Sequence, residues 1–452
     1  VRLTWAQPED LLLHELVQAR VEGVDALAVD AVGRRWLEAG GGSVEPPVSG
    51  AAAVGAGSDL RRLAGRLLDE LDELPRADDP DHPASLAGVE AGWDGGPAVR
   101  RPGTDLADRV AGAWLGRSAG CLLGKPVEKI PRAGIRAIAE ETGNWPVRGY
   151  FTAVGLSAAT AAAWPWNRRS APTSLVENID GMPEDDDLNY PLLDLALLER
   201  HGAPTTEDVA TAWLADLPAG RVFTAERAAY RNLLLALPLD EVPSRRNPFR
   251  EWIGALIRGD VFGWARPGDP YTAARLAWPD AVLSHTRNGV YGELWAAALA
   301  SASLVADDVE EVLERAAAVV PPRSELAEAI AFGTRFGRRA LPLDQRLDAL
   351  HARYGHLHWV HVLNNAATIA CALAASDGDF TSGVGLAVMT GWDTDSTGAT
   401  VGSVLGGLLG ADRLPDAWTG PLDGRIATSL PGGEQQVTDL VRRTLALAGV
   451  AA

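Results

Sequence analysis

Residues 108–128 read Asp108-Arg109-Val110-Ala111-Gly112-Ala113-Trp114-Leu115-Gly116-Arg117-Ser118-Ala119-Gly120-Cys121-Leu122-Leu123-Gly124-Lys125-Pro126-Val127-Glu128. Residues 391–410 open with Gly391-Trp392-Asp393-Thr394-Asp395-Ser396-Thr397-Gly398 and continue through Gly402, Gly406 and Gly410. Both runs carry glycines four apart on an apolar, helix-compatible background. A glycine inside a helix costs roughly 1 kcal/mol relative to alanine, so two such rows are several kcal/mol of instability unless something offsets them. Glycines at that spacing stay near one face, drifting about 40° per step, and let helix axes approach closely. A general bias toward small residues is the plainer alternative. If the rows meet antiparallel, the end of the first helix lies beside the start of the second, which puts Glu128 near Asp393 and Asp395.

The remaining composition fits that helical reading. The chain has 452 residues, with 47% hydrophobic, 22% charged and 6% aromatic residues, the profile of an ordinary globular protein with room for a sizeable core. It contains no run of about 18 uninterrupted apolar residues, and Glu9, Asp10 and Glu15 fall where a signal peptide needs an apolar stretch. A cytoplasmic enzyme or binding protein with no membrane association is therefore expected. The formal charge of −19 repels a polyanion, so a nucleic acid duplex is not an expected partner. Cys121 and Cys371 sit in small-residue helical patterns and read as buried thiols.

Residues 1–104 read as a helical N-terminal extension, with helical patterns over 1–38 and about 59–74 separated by Gly/Pro-rich linkers. Residues 105–452 read as a second, all-α unit. Apolar spacing at i, i+3 and i+4 predicts helices near 106–123, 189–201, 206–215, 224–236, 291–304, 307–318, 323–334, 359–375 and 395–409. Thr206 and Thr224 are candidate N-caps.

Two acidic runs stand out. Gly181-Met182-Pro183-Glu184-Asp185-Asp186-Asp187-Leu188-Asn189-Tyr190 packs four adjacent carboxylates before an apolar helix. The helix dipole relieves their repulsion by about 0.3–1 kcal/mol per group, whereas a divalent cation would relieve far more. A solvated acidic cap is the plain alternative, as a capping turn is for Asp393 and Asp395. Residues two apart diverge by about 200° on a helix, so these two share a ligand only from the turn leading into it. Carboxylates plus a hydroxyl, with no cysteine nearby, form a hard oxygen set that suits Mg²⁺, Mn²⁺ or Ca²⁺ and disfavours zinc.

At this point the chain resembles the ADP-ribosylglycohydrolases. The run Asp108–Glu128 is similar to that family's opening helix, and the acidic runs after Pro183 and Trp392 resemble its two metal-binding segments in the same order. Asp280-Ala281-Val282-Leu283-Ser284-His285 with Gly289 and Glu293, and Asn364-Asn365 followed by Gly378-Asp379-Phe380, fit as well. The resemblance spans roughly 105–412. It implies an all-α, compact multi-helix domain whose cleft holds two divalent cations, Mg²⁺ or Mn²⁺. Carried over position by position, it implies metal ligation by Glu184, Asp185, Asp186, Asp393, Asp395 and Ser396. Glu128 matches a loop glutamate that reaches the metals and the substrate ribose. The chain departs from the family in placing Glu184 and Asp187 where threonines are usual, and Trp392 where a small residue is common.

The implied activity is metal-dependent hydrolysis of the glycosidic bond between ADP-ribose, or a related ribosyl group, and its acceptor, either a modified protein or a small ribosylated molecule. Asp185 or Asp186 is expected to activate water and Glu128 to assist the reaction, with Asp187 and Trp392 at the substrate. Proton delivery is assigned to Glu128 or Asp187. Two alternatives stand beside it: an N-ribosyl hydrolase acting on a nucleoside or other ribosylated metabolite, and a non-catalytic ADP-ribose-binding protein of the same fold. His285 is expected either to line the cleft or to cap a helix. His356, His358 and His361 lack a fourth ligand at zinc spacing and read as capping or packing residues. The segment 247–252 with Trp264 reads either as an aromatic, arginine-bearing wall for an adenine or diphosphate, or as core.

Overall fold

The computed structural model describes residues 2–52, 54–76, 79–93 and 98–449. It is mostly helical, and the strand pairing among the described residues is one two-stranded ribbon joining Arg425–Ile426 to Gln435–Gln436. The two glycine helices, Leu106–Gly124 and Thr394–Leu409, lie antiparallel at the centre. A methyl group on Gly112, Gly116 or Gly120 would overlap the carbonyl oxygen of Gly406, Gly402 or Gly398, and one on Gly124 would overlap that of Thr394. The backbones are therefore in direct contact along four turns, which offsets the helical cost of the glycines. The Thr394 hydroxyl donates to the Gly124 carbonyl at 2.9 Å and fixes the register. Gly333 and Gly337 repeat the device against Ala367 and Cys371 of the Val362–Ser376 helix.

The predicted helices are present, most with ends shifted by one to four residues. The helix expected at 189–201 spans Asp186–His201, so the acidic run forms its cap and first turn. The helix expected at 359–375 starts at Val362, after His361, whose ring accepts from the Leu363 amide. Neither candidate threonine cap is used. Thr205, not Thr206, caps its helix in a reciprocal box with Asp208, and the Thr224 hydroxyl turns to Glu226 instead of to a backbone amide. Helices at Arg132–Glu141, Pro270–Ser284, Leu343–Tyr354, Phe380–Met389 and Val437–Leu447 were not anticipated. Both cysteines are buried and free. No helix among the described residues is long and apolar enough to cross a membrane.

The N-terminal segment is tied closely to the rest. The helix Pro8–Val21 and its C-cap present Glu15 and Glu22 to Arg250, which is fully buried and bonds both carboxylates at 2.6–2.9 Å. Gln18 donates to Glu251 at 2.8 Å, and Trp5 packs edge-on against Phe249 and Trp252. The segment 247–252 is therefore core and the anchor of the N-terminal helix, not a ligand wall. Trp264 likewise packs against Trp114, fully buried. His358 stacks on Trp252 at 4.3 Å and His361 caps the helix that follows, whereas His356 is exposed.

Two measurements test these contacts. Gly120→Ala or Gly402→Ala should lower stability by about 3 kcal/mol, because only separation of two packed backbones makes room. Gly220→Ala, with open space at its Cβ, should change it by less than about 0.5 kcal/mol in the same urea titrations. The second concerns Glu22: burial raises its pKa, but Arg250 and Arg76 prevail and hold it down to about 2. Its contribution is thus fully present above the ordinary carboxylate value of about 4.3 and is lost as pH falls toward about 2. Melting curves should steepen in their pH dependence across that window. Glu22→Gln should flatten the slope while costing about 3 kcal/mol at pH 7.

Candidate active site

The contact of the glycine helices brings three chain segments to one cleft. Glu128 follows the short 3-10 turn Lys125–Val127 at the end of the first helix. Asp393 caps the second glycine helix and Asp395 lies in its first turn. Carboxylate oxygens of Glu128, Asp393 and Asp395 lie within 4.8 Å of one another. Gly391, at φ +80°, makes the turn that admits Asp393, and its Cα packs against the backbone of Arg132. Asp185, at the cap of Asp186–His201, forms a second group with Asp187 and the Cys121 thiol, also within 4.8 Å. The Ser396 hydroxyl donates to Asp187 at 3.3 Å and links the two groups. The cleft is a cavity of about 460 Å³.

The carboxylates strain against one another. Burial, then the charge of Asp395, pushes Asp393 well above the usual carboxylate range. Burial, then Glu128 and Asp185, raises Asp395 to about 7. Asp186 and Asp187 are raised by burial and by Asp185. Asp185 alone among the five aspartates is lowered: burial opposes its charge, but the Lys125 ammonium beside it prevails. Such a set fits a hard divalent cation, whose charge would remove the repulsion and whose preference is for oxygen donors.

Not every expected residue reaches the clusters. Glu184 lines the cavity but joins neither group; its carboxylate is bound at 2.7 Å to Arg221 and accepts from the Ser429 amide and Asn189, each at 3.1 Å. Asp186 lines the cavity without joining either group. Trp392 does not face the substrate space; it is buried behind the Asp393 turn, stacked on His351 at 4.4 Å. His285 also lies behind the cleft, as the C-cap of Pro270–Ser284, with Nδ1 at 2.8 Å from the Ser284 hydroxyl and burial keeping it neutral. Asp187 is buried between Cys121, Ser396 and Arg117, so its carboxylate supports the floor.

Other lining residues escaped the sequence reading. Lys125 is buried beside Asp185. Glu226, bonded to Arg258 at 2.6 Å, forms part of the floor. Lys129, strained at φ +70°, folds back 3.1 Å from Glu128 and over the Trp359 ring. Arg168 and Arg169 are exposed on the rim without a carboxylate partner among the described residues. Thr4, Trp5, Ser49 and Gly50 of the N-terminal segment supply one wall.

With this geometry the comparisons agree. The ADP-ribosylglycohydrolase family model matches residues 102–450. The chain belongs to the ADP-ribosylglycohydrolase family. A solved structure described as an ADP-ribosylglycohydrolase-related protein complex is similar in fold, with a TM-score of 0.50 and 20% identity over 77% of this chain and 99% of that one. No functionally curated protein matches. The family's members are typically hydrolases, and the two acidic groups are where this member could hold metal.

The repulsion has a measurable sign. The unfolded state releases the Asp395 proton near pH ~3.9 and the folded metal-free state near about 7, so stability falls as pH rises through that interval. In chelator-treated protein, Asp395→Asn should therefore be more stable than wild type at pH 8, on the order of 2 kcal/mol, and indistinguishable below pH ~4. Thermal melts at the two pH values check this, and added Mn²⁺ should stabilise the wild type alone.

Proposed function

We propose that this protein is a metal-dependent hydrolase that cleaves the glycosidic bond between ADP-ribose, or a related ribosyl group, and its acceptor. The observation that carries the reading is the convergence of Glu128, Asp393 and Asp395 in a cleft whose rim offers the unpaired Arg168 and Arg169. Rim guanidinium groups suit a diphosphate, and Phe223 and Trp359, also on the lining, offer flat faces to a base. A Mg²⁺ or Mn²⁺ ion held by the three carboxylates would supply charge for the ribose hydroxyls and lower the pKa of a coordinated water.

The protein groups then divide the remaining work. Asp185 is engaged by the Lys125 ammonium, whereas Asp186 lines the cavity outside both acidic groups and, as a carboxylate once a bound cation offsets its neighbours' charge, is the better placed base. Water's oxygen bonds to the anomeric carbon, its proton passes to Asp186, and the glycosidic bond breaks toward the acceptor. Asp186 then returns that proton to the departing group; Glu128, which as a carboxylate on the ion carries none, orients the ribose, and Asp187 is too deeply buried to deliver one. Asp186→Asn and Asp395→Ala should each lower release of ADP-ribose from a modified protein by about 10²-fold or more, and chelation should do the same. Full activity in both variants would sink the mechanism.

A second reading, hydrolysis of a nucleoside or small ribosylated metabolite, is favoured by the wall of Thr4, Trp5, Ser49 and Gly50, which encloses one side of the cleft. Rates on a nucleoside panel against an ADP-ribosylated protein separate the two.

A further inference from the structure

The two acidic groups differ in how their charge is met. In the group of Asp185 and Asp187, the Lys125 ammonium bonds the Asp185 carboxylate and donates to the Glu184 carbonyl at 3.2 Å. Arg117, wholly buried, lies 3.5 Å from the Asp187 carboxylate and donates to its carbonyl at 2.8 Å. The third member, Cys121, sits 4.0 Å from Asp187 and stays a neutral thiol, because burial opposes its ionisation. Two carboxylates thus face two fixed cations. In the other group only Glu128 is in contact with a basic side chain, Lys129 at 3.1 Å; Lys125 and Lys129 act on Asp395 from farther off, and neither Asp393 nor Asp395 forms an ion pair at contact distance among the described residues.

The position of the ammonium is built into the fold. Lys125 directly follows Gly124, whose Cα packs on the Thr394 backbone, and its own residue is 5% exposed. The glycine contact thus anchors the Lys125 backbone at the cleft, with its ammonium held by Asp185 and the Glu184 carbonyl. A divalent ion arriving at Asp185 would have to displace a buried positive charge already in contact with its ligand, and would meet a thiol and an arginine-paired carboxylate in place of free oxygens.

We propose that the Lys125 ammonium takes the place of one of the two cations that the family resemblance implies, so that this chain binds a single divalent ion, held by Glu128, Asp393 and Asp395. The inference rests on the metal-dependent reading above and specifies it. Lys125 is then a positioning residue: it keeps Asp185 ionised and oriented while the exchangeable ion serves the substrate.

Counting Mn²⁺ on the full chain tests this, by equilibrium dialysis with electron paramagnetic resonance of the bound ion. Wild type should bind one Mn²⁺ with the spectrum of an isolated ion, and Lys125→Met, which keeps the stem and removes the charge, should bind two that are spin-coupled. Two coupled ions in wild type, or one in a folded Lys125→Met, would overturn the proposal while leaving the metal-dependent reading in place. No bound Mn²⁺ in wild type would overturn both. The wild-type count decides even where the variant does not fold.

Discussion

Direct backbone contact between Leu106–Gly124 and Thr394–Leu409 is the constraint on which the site depends. Glu128 hangs four residues beyond the end of one helix, while Asp393 and Asp395 sit at the start of the other. Their approach to within 4.8 Å exists only in the register where Gly112, Gly116, Gly120 and Gly124 face Gly406, Gly402, Gly398 and Thr394. A slip by one turn, about 5.4 Å, would part the carboxylates. Side chains at such an interface could repack around a slip. Backbone packed on backbone has no such freedom except at a four-residue shift that brings glycine to glycine again, and against that shift the bond from the Thr394 hydroxyl to the Gly124 carbonyl selects the register.

Holding like charges together requires opposite charge nearby, and the chain supplies it through buried arginines shared among carboxylates. Arg117 serves Asp260 at 2.7 Å and Asp187 at 3.5 Å, and Arg258 serves Glu226, Asp280 and Glu293. Arg250 does the same for Glu15 and Glu22. Each guanidinium is planar, permanently charged and able to bond several partners, so it can support acidic groups from different helices in a way that a lysine cannot. The exceptions are two lysines at the cleft: Lys129 meets Glu128, and Lys125 is a point charge directed at the single carboxylate of Asp185. The presence of Lys125 explains why Asp185 stays ionised while its neighbours are pushed toward the neutral form.

The parts of this architecture that were legible in the sequence are those with a period or a local cost. Glycines four apart in two helices announced a backbone contact, and antiparallel pairing then placed Glu128 beside Asp393 and Asp395 without further information. Single residues whose role is set by distant partners were not legible. Glu184 stands beside three aspartates in sequence, and nothing local shows that Arg221 and Ser429, on other segments, bind it at the cavity wall. Trp392 adjoins Asp393 in sequence, but the Gly391 turn sends it to the opposite side, onto His351. Thr205 and Thr206 are both plausible caps, and only the reciprocal bond with Asp208 distinguishes them. Lys125 lay within the quoted motif and went unweighed, because nothing local shows that a lysine after Gly124 faces an aspartate 60 residues away.

The same limit applies to the N-terminal segment, which falls before the family-model match at residue 102 and yet supplies part of the cleft. Trp5 is held by Phe249 and Trp252, its amide donates to the Gly50 carbonyl, and Arg227 donates to the Thr4 carbonyl at 2.6 Å. Val48, two residues before Gly50, accepts from the Trp359 indole at 2.8 Å, so the wall is joined to the aromatic face that bears Lys129. These are attachments through the main chain of the segment, a stiffer arrangement than a loop lying over an opening. The acidic floor comes from the part of the chain shared with the family, whereas the space above it is bounded by a segment outside that match. Arg168, Arg169, Phe223 and Trp359 bound the same space from within the match, so the cleft above the acidic floor is assembled from both parts of the sequence and cannot be read from the shared part alone.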